Sequence, residues 1–164
     1  MNTFELIAPC HFGLESVLKR EIYDLGYEIS MVEDGRVTFI GDAEAICRAN
    51  IFLRTAERIL VKVGSFRAVS FEELYTKTRA LDWSRWIPEN GKCWVTKASS
   101  IRSQLFSTSD IQSIIKKALV DKMKIEYDTD VIVETGASYP LRVFIKKDIV
   151  TIGLDTTGNS LHKR

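Results

Sequence analysis

Residues 27–40 read YEISMVEDGRVTFI, and the fold of the chain's first part turns on how this stretch divides. Tyr27–Glu33 and Arg36–Ile40 are short runs rich in β-branched and aromatic residues, which predicts two strands. Between them stands Asp34-Gly35, a pair that supplies the positive backbone angles a tight hairpin turn requires. Upstream, Leu14, Val17, Leu18, Ile22 and Leu25 fall on one helical face, and Gly26 ends that helix as a C-terminal glycine commonly does. Ahead of it, Thr3–Ala8 alternates apolar and polar residues as a half-buried strand does. Downstream, Asp42 can cap a helix presenting Ile46, Ala49 and Leu53, and Arg58–Val63 reads as a closing strand.

The order strand, helix, strand, strand, helix, strand matches the split βαβ of ferredoxin-like folds. A second mixed unit follows. Ser70 can cap a helix carrying Phe71, Leu74, Tyr75 and Thr78. Trp83 and Trp86 come next at helical spacing and are read as core packing rather than base stacking, because indole rings supply large apolar area wherever they are buried. Cys93–Lys97 reads as a strand leading into Ala98–Phe106. The long helix after it has Ser109 three residues before Gln112, the form of a capping box. Ile111, Ile114, Ile115, Ala118 and Leu119 make its apolar stripe, which leaves Lys116 and Lys117 for water. Val131–Thr135, Leu141–Lys146 and Ile149–Leu154 then read as three strands, the last two joined by a tight turn around Lys147-Asp148. The fold class expected is α+β.

Composition narrows the function. The chain has 164 residues, 45% of them hydrophobic, enough to bury a core. No apolar run approaches the roughly 20 residues a bilayer span needs, and Glu5 stands where a signal peptide wants a basic start, so the expectation is a soluble cytoplasmic protein with no membrane partner. Cys10, Cys47 and Cys93 are odd in number and too widely spaced for a disulfide framework or a zinc site. The near-neutral total hides an asymmetry: residues 1–66 carry 7 Lys and Arg against 10 Asp and Glu, whereas residues 67–164 carry 16 against 12. A polyanion would prefer the second half.

Catalytic chemistry is sparse. No glycine-rich loop follows a strand as in a dinucleotide site or a P-loop. The two histidines are His11 and His162. Cys10-His11 invites a thiol and imidazole reading, but adjacent residues on a strand or loop point apart. Asp34, Asp42 and Asp148 belong to turns or caps. The chain as given is expected to be neither an enzyme nor a cofactor binder.

Five segments together resemble the amino-terminal portion of bacterial THUMP-containing RNA methyltransferases, which modify guanine at its exocyclic amine in large-subunit ribosomal RNA and are often labelled adenine-specific DNA methylases. They are Cys10-His-Phe-Gly-Leu-Glu15, Asn50-Ile-Phe-Leu-Arg-Thr-Ala-Glu-Arg58, Phe71-Glu-Glu-Leu-Tyr75, Ser107-Thr-Ser-Asp-Ile-Gln-Ser-Ile-Ile-Lys-Lys117 and Asp155-Thr-Thr-Gly-Asn-Ser-Leu-His-Lys-Arg164. The last two are the specific ones. The resemblance implies a ferredoxin-like domain (residues 1–66), a THUMP RNA-binding domain (67–158) and the start of a linker (159–164). Beyond that linker it implies a Rossmann-like domain that binds S-adenosylmethionine, absent from this sequence together with its Asn-Pro-Pro motif. It further implies ribosomal RNA and that following domain as partners. RNA contact would fall on Lys97, Ser100, Arg102, Ser103, Lys116 and Lys117, with Arg142 and Lys146 near them in sequence logic only. Hydroxyls, cations and an exposed helix start are chemically suited to phosphate oxygens. Two other readings compete with it: a scaffold module without RNA contact, and a small self-contained enzyme using Cys10.

Overall fold

The computed structural model describes residues 3–156; Ser160, His162 and the expected linker lie outside them. Among the described residues there are seven strands and four α-helices: β1 (Phe4–Pro9), α1 (Glu15–Asp24), β2 (Glu28–Glu33), β3 (Arg36–Gly41), α2 (Ala43–Phe52), β4 (Leu60–Arg67), α3 (Phe71–Arg79), β5 (Lys92–Ile101), α4 (Thr108–Glu126), β6 (Ser138–Lys146) and β7 (Ile149–Asp155). A single 3₁₀ turn, Trp83–Arg85, lies between α3 and β5. The mixed α+β architecture is the one the sequence implies. Contacts divide the chain into Val63–Leu154 and a unit made of the remainder. The boundary falls inside β4, and the chain re-enters the first unit at Asp155.

In the first unit the strand order is β2-β3-β1-β4, the ferredoxin-like arrangement. The hairpin forms with Glu33 opposite Arg36, and their side chains pair at 2.9 Å across the turn. Gly35 adopts φ 83° while Asp34 does not go left-handed. One positive angle therefore suffices where the sequence suggested two, because the residue without a Cβ takes it. Asp42 caps α2 by accepting the Ala45 N–H at 3.0 Å. Leu18 and Ile22 of α1 are fully buried with Leu6, Phe39 and Ala49, and each such aliphatic side chain contributes roughly 1.5–3 kcal/mol. Leu14 and Val17 instead stand exposed, so the apolar face of α1 is narrower than its sequence suggests.

In the second unit the order is β4-β7-β6-β5. β6 and β7 form an antiparallel hairpin, whereas β5 lies parallel to β6 and so needs a crossover, which α4 supplies. Ser70 caps α3 by accepting the Glu73 N–H at 3.1 Å. Trp83 is wholly buried, its indole N–H donating to the Thr78 carbonyl at 2.8 Å, as its reading as core requires. Residues 131–135 are not a strand. Local bonds take some of their backbone groups, the Thr129 hydroxyl bonding both the N–H and the C=O of Val131 and the Thr135 N–H donating to Val133. Val131 and Val133 face solvent.

Candidate nucleic-acid interface

The C-terminal end of β5 runs into a loop whose shape is fixed by side chains. The Ser100 hydroxyl donates to the Leu105 carbonyl, and the Ser103 hydroxyl donates to the Ile101 carbonyl at 2.9 Å. Ser103 Oγ also accepts the Asp148 N–H at 3.0 Å, and the Asp148 carboxylate accepts the Gln104 N–H at 2.8 Å. The Lys147 N–H donates to the Ile101 carbonyl at 3.1 Å. Two of these bonds shape the β5–α4 loop and three clamp it onto the β6–β7 turn. Ser100 and Ser103, expected to meet RNA, spend their hydroxyl protons on the two that shape the loop.

Two cations stand on the clamped surface. Arg102 has φ 51° and Lys147 has φ 50°, with Asp148 beside it at 66°. Left-handed backbone costs an L-residue with a Cβ roughly 1 kcal/mol or more, so two long basic side chains occupy positions that glycine or asparagine would fill more cheaply. Both are exposed, and neither has an ion-pair partner among the described residues. Paired positive angles at Lys147-Asp148 are what a two-residue hairpin turn demands. The sequence located this turn but not the cation it presents.

The loop delivers the chain to α4. The helix begins at Thr108 with Ser107 as its N-cap, and no side chain caps it. The capping box expected at Ser109 and Gln112 is therefore incorrect: Ser109 lies inside the first turn, and its hydroxyl sits 3.5 Å from that of Ser107. The first turn carries Asp110, whose negative charge is favourable at this positive end of the helix.

Lys116 and Lys117 part company. Lys116 reaches the Cys93 carbonyl and pairs with Glu134 at 2.5 Å, its Nζ also lying 3.8 Å from the buried Cys93 sulfur. Burial pushes the Cys93 thiol up, the Lys116 charge opposing it. Lys116 does not stand in water as the stripe suggested, because Glu134 of the irregular segment covers it. Lys117 is exposed. Cys93 begins β5 and Arg102 follows its end, so Lys116 is held at the opposite end of the strand from the clamp. Lys97 lies between, exposed and in register with Arg142. Arg142 and Lys146 are engaged in further contacts. The structure thus gathers Ser100, Arg102, Ser103 and Lys147 at one place and leaves Lys97, Lys116 and Lys117 along the strand and helix.

Cys10 and His11, adjacent in sequence, have different surroundings. Cys10 is buried and its thiol is pushed up by that burial, then by the Glu15 and Glu57 charges. His11 points out and pairs with Glu57 at 3.2 Å. Among the described residues no cluster of metal ligands occurs and no helix is long and apolar enough to cross a membrane. One glycine turn joins a strand to a helix, at Gly13, and its N–H is already bonded to the Glu15 carboxylate at 2.9 Å.

An RlmL ferredoxin-like domain matches residues 5–60 and a THUMP domain matches residues 68–155. The putative RNA methyltransferase YpsC of Bacillus subtilis (strain 168) is 49% identical over the whole of this chain, which spans 43% of it. A possible methylase from Clostridium difficile 630 superposes with a TM-score of 0.97 at 48% identity, covering 99% of this chain and 43% of that one. SMU.472, crystallised with SAH, gives 0.91 at 38% identity over 98% of this chain and 43% of its own. The chain spans less than half the length of each of these relatives.

Proposed function

We propose, because the chain belongs to the THUMP family and carries an RlmL ferredoxin-like domain ahead of its THUMP domain, that it is the RNA-binding, substrate-positioning amino-terminal region of an S-adenosylmethionine-dependent RNA methyltransferase. The substrate is guanine N2 of large-subunit ribosomal RNA in the cytoplasm, and the methyl donor is held by a domain following residue 164. Residues 1–66 form the ferredoxin-like part, 67–158 the RNA-binding part and 159–164 the start of the linker. The reading rests chiefly on one observation: Arg102 and Lys147, both exposed and both left-handed, are brought together by the Lys147–Ile101 backbone bond on the loop that leads into α4. Cations carried on a fixed backbone are chemically suited to phosphate oxygens. Lys97 and Lys117 extend the basic track, and Ser100 and Ser103 serve it by shaping the loop. Lys116 contributes charge from behind its pair with Glu134.

The test is binding of the chain to structured ribosomal RNA as salt is raised. Phosphate neutralisation makes log affinity fall linearly with log salt, by roughly 0.7–0.9 for each phosphate contacted. A flat response would favour the scaffold reading. S-adenosylmethionine should give no heat of binding with this chain, and one-to-one binding would contradict the division of labour.

A further inference from the structure

One end of the first unit exposes apolar side chains that its own folding does not require. Phe12 is 75% exposed, Ile51 69%, Phe52 56% and Val17 50%, with Leu14 beside them at 37%. They come from the β1–α1 turn, the first half of α1 and the last turn of α2. Because β1 and β3 run antiparallel, the helices that follow them also run in opposite directions. The start of α1 therefore lies by the end of α2, and the Glu21 carboxylate of α1 accepts the N–H groups of Arg54 and Thr55 at 3.0 Å each. A cavity of about 320 Å³ opens there, lined by His11, Leu14, Arg54, Thr55, Ala56 and Glu57.

Phe12 is held out by a rigid device. Gly13 turns at φ 92°, the Glu15 carboxylate takes the Gly13 N–H at 2.9 Å and the Gly35 N–H at 2.8 Å, and Leu14 donates to the His11 carbonyl at 3.1 Å. A fixed turn that presents an aromatic ring beside other exposed apolar groups marks an interaction surface rather than a chance exposure.

The path of the chain indicates the occupant. Asp155 pairs with Arg58 at 2.7 Å, the Thr156 hydroxyl accepts from Asn50 at 3.2 Å, and the Thr156 N–H donates to Ile59 at 3.0 Å. The last described residues are thus fastened to Asn50 of α2 and to Arg58 and Ile59 just beyond it, so the chain leaves the described part from the first unit, near the end of α2. More than half of each close relative lies outside the match. We infer that the Phe12, Leu14, Val17, Ile51 and Phe52 surface seats the domain that follows in those relatives, an apolar side chain of that domain entering the cavity beside the His11–Glu57 pair. This rests on the reading of the chain as part of a longer methyltransferase. It gives the first unit a role of its own, holding the following domain at a fixed place while the second unit holds RNA.

Hydroxyl-radical footprinting of the full-length polypeptide, without RNA, tests it. Corrected for intrinsic reactivity, Phe12 and Phe52 should oxidise at rates near that of the buried Phe39, while Tyr23, exposed at the other end of α1, stays fast. Oxidation of Phe12 and Phe52 at the Tyr23 rate overturns the proposal. So does protection that appears only as protein concentration rises, which would mean a second copy covers the surface, and so does a native polypeptide that ends at residue 164. RNA binding is measured separately on the second unit's residues, so loss of one reading does not carry the other with it.

Discussion

Two strand-to-helix junctions in this protein are built alike and present different side chains to solvent. At His11–Leu14 the chain passes from β1 to α1 through a left-handed glycine, and the Glu15 carboxylate fills the N–H groups of Gly13 and Gly35. At Arg102–Ser107 the chain passes from β5 to α4 through a left-handed arginine, and α4 starts without a side-chain cap. The first junction is closed by its own carboxylate, which binds N–H groups outside the helix; the second leaves Arg102 and Lys147 open to solvent while Asp148 takes the Gln104 N–H, and neither helix has a side-chain cap. The difference lies in the side chains presented rather than in the helix starts: one junction holds out the Phe12 ring, the other two cations without an ion-pair partner among the described residues.

The strongest way to break this contrast is to reverse the charge of the open junction. Arg102→Glu with Lys147→Glu should lower RNA affinity at least about tenfold and flatten the salt dependence by about two phosphate contacts. An unchanged slope on RNA that the parent chain binds would remove the junction from the interface. Next in size is the pair on α4. Lys116→Ala should cost about 1 kcal/mol in chemical denaturation, because Glu134 and the Cys93 carbonyl lose their partner. Lys117→Ala should stay within about 0.5 kcal/mol while weakening RNA binding equally across sequences.

These two lysines also show where sequence reading stops. Asp42, Ser70 and the hairpin at residues 34–35 were legible because cap and turn chemistry is local, with donor and acceptor within three residues. Trp83 was legible because an indole is worth most when buried. Lys116 was not, since its partners lie 23 residues before it and 18 after it. The α4 cap was placed two residues late because Ser107 and Asp110 repeat the spacing of Ser109 and Gln112, and pattern alone does not choose between them. Val131–Thr135 has the composition of a strand, yet the Thr129 hydroxyl captures its first backbone groups. Of the expected RNA contacts, chemistry alone suggested hydroxyls and cations; only the geometry shows that Ser100 and Ser103 fasten the loop and that Lys147 joins Arg102.

A smaller effect would sharpen the contrast. Lys147→Gly should stabilise the second unit by about 0.5–1 kcal/mol, since glycine takes φ 50° without strain, and should at the same time weaken RNA binding. Higher thermal stability with undiminished affinity would mean the cation has no function there. The finest probe is pH at the closed junction. The Gly35 N–H, then the N–H groups of Glu15 itself and of Gly13, hold the Glu15 carboxyl below the usual carboxylate range. A lowered folded-state pKa contributes stability that is present above the ordinary carboxylate pKa and is lost as pH falls through the folded value. Thermal melts from about pH 7 to about pH 3 should therefore fall less steeply for Glu15→Gln than for the parent. Parallel curves would show that the carboxylate does not close that junction.

The return of the chain from β7 to the first unit has a consequence for synthesis. Arg58 leaves the ribosome 97 residues before Asp155, the residue it pairs with, and Ile59 precedes Thr156 by the same interval. At about 5–20 residues per second, roughly 5–20 s separate the making of the lock from the making of its key. The first unit can collapse early around Leu18, Ile22 and Phe39, but its last fastening must wait until the inserted unit has been translated. A nascent chain halted inside β6 or β7 would carry an amino-terminal unit that is shaped but not yet latched, and a ribosome-bound protease should cut it more readily than one released after Thr156.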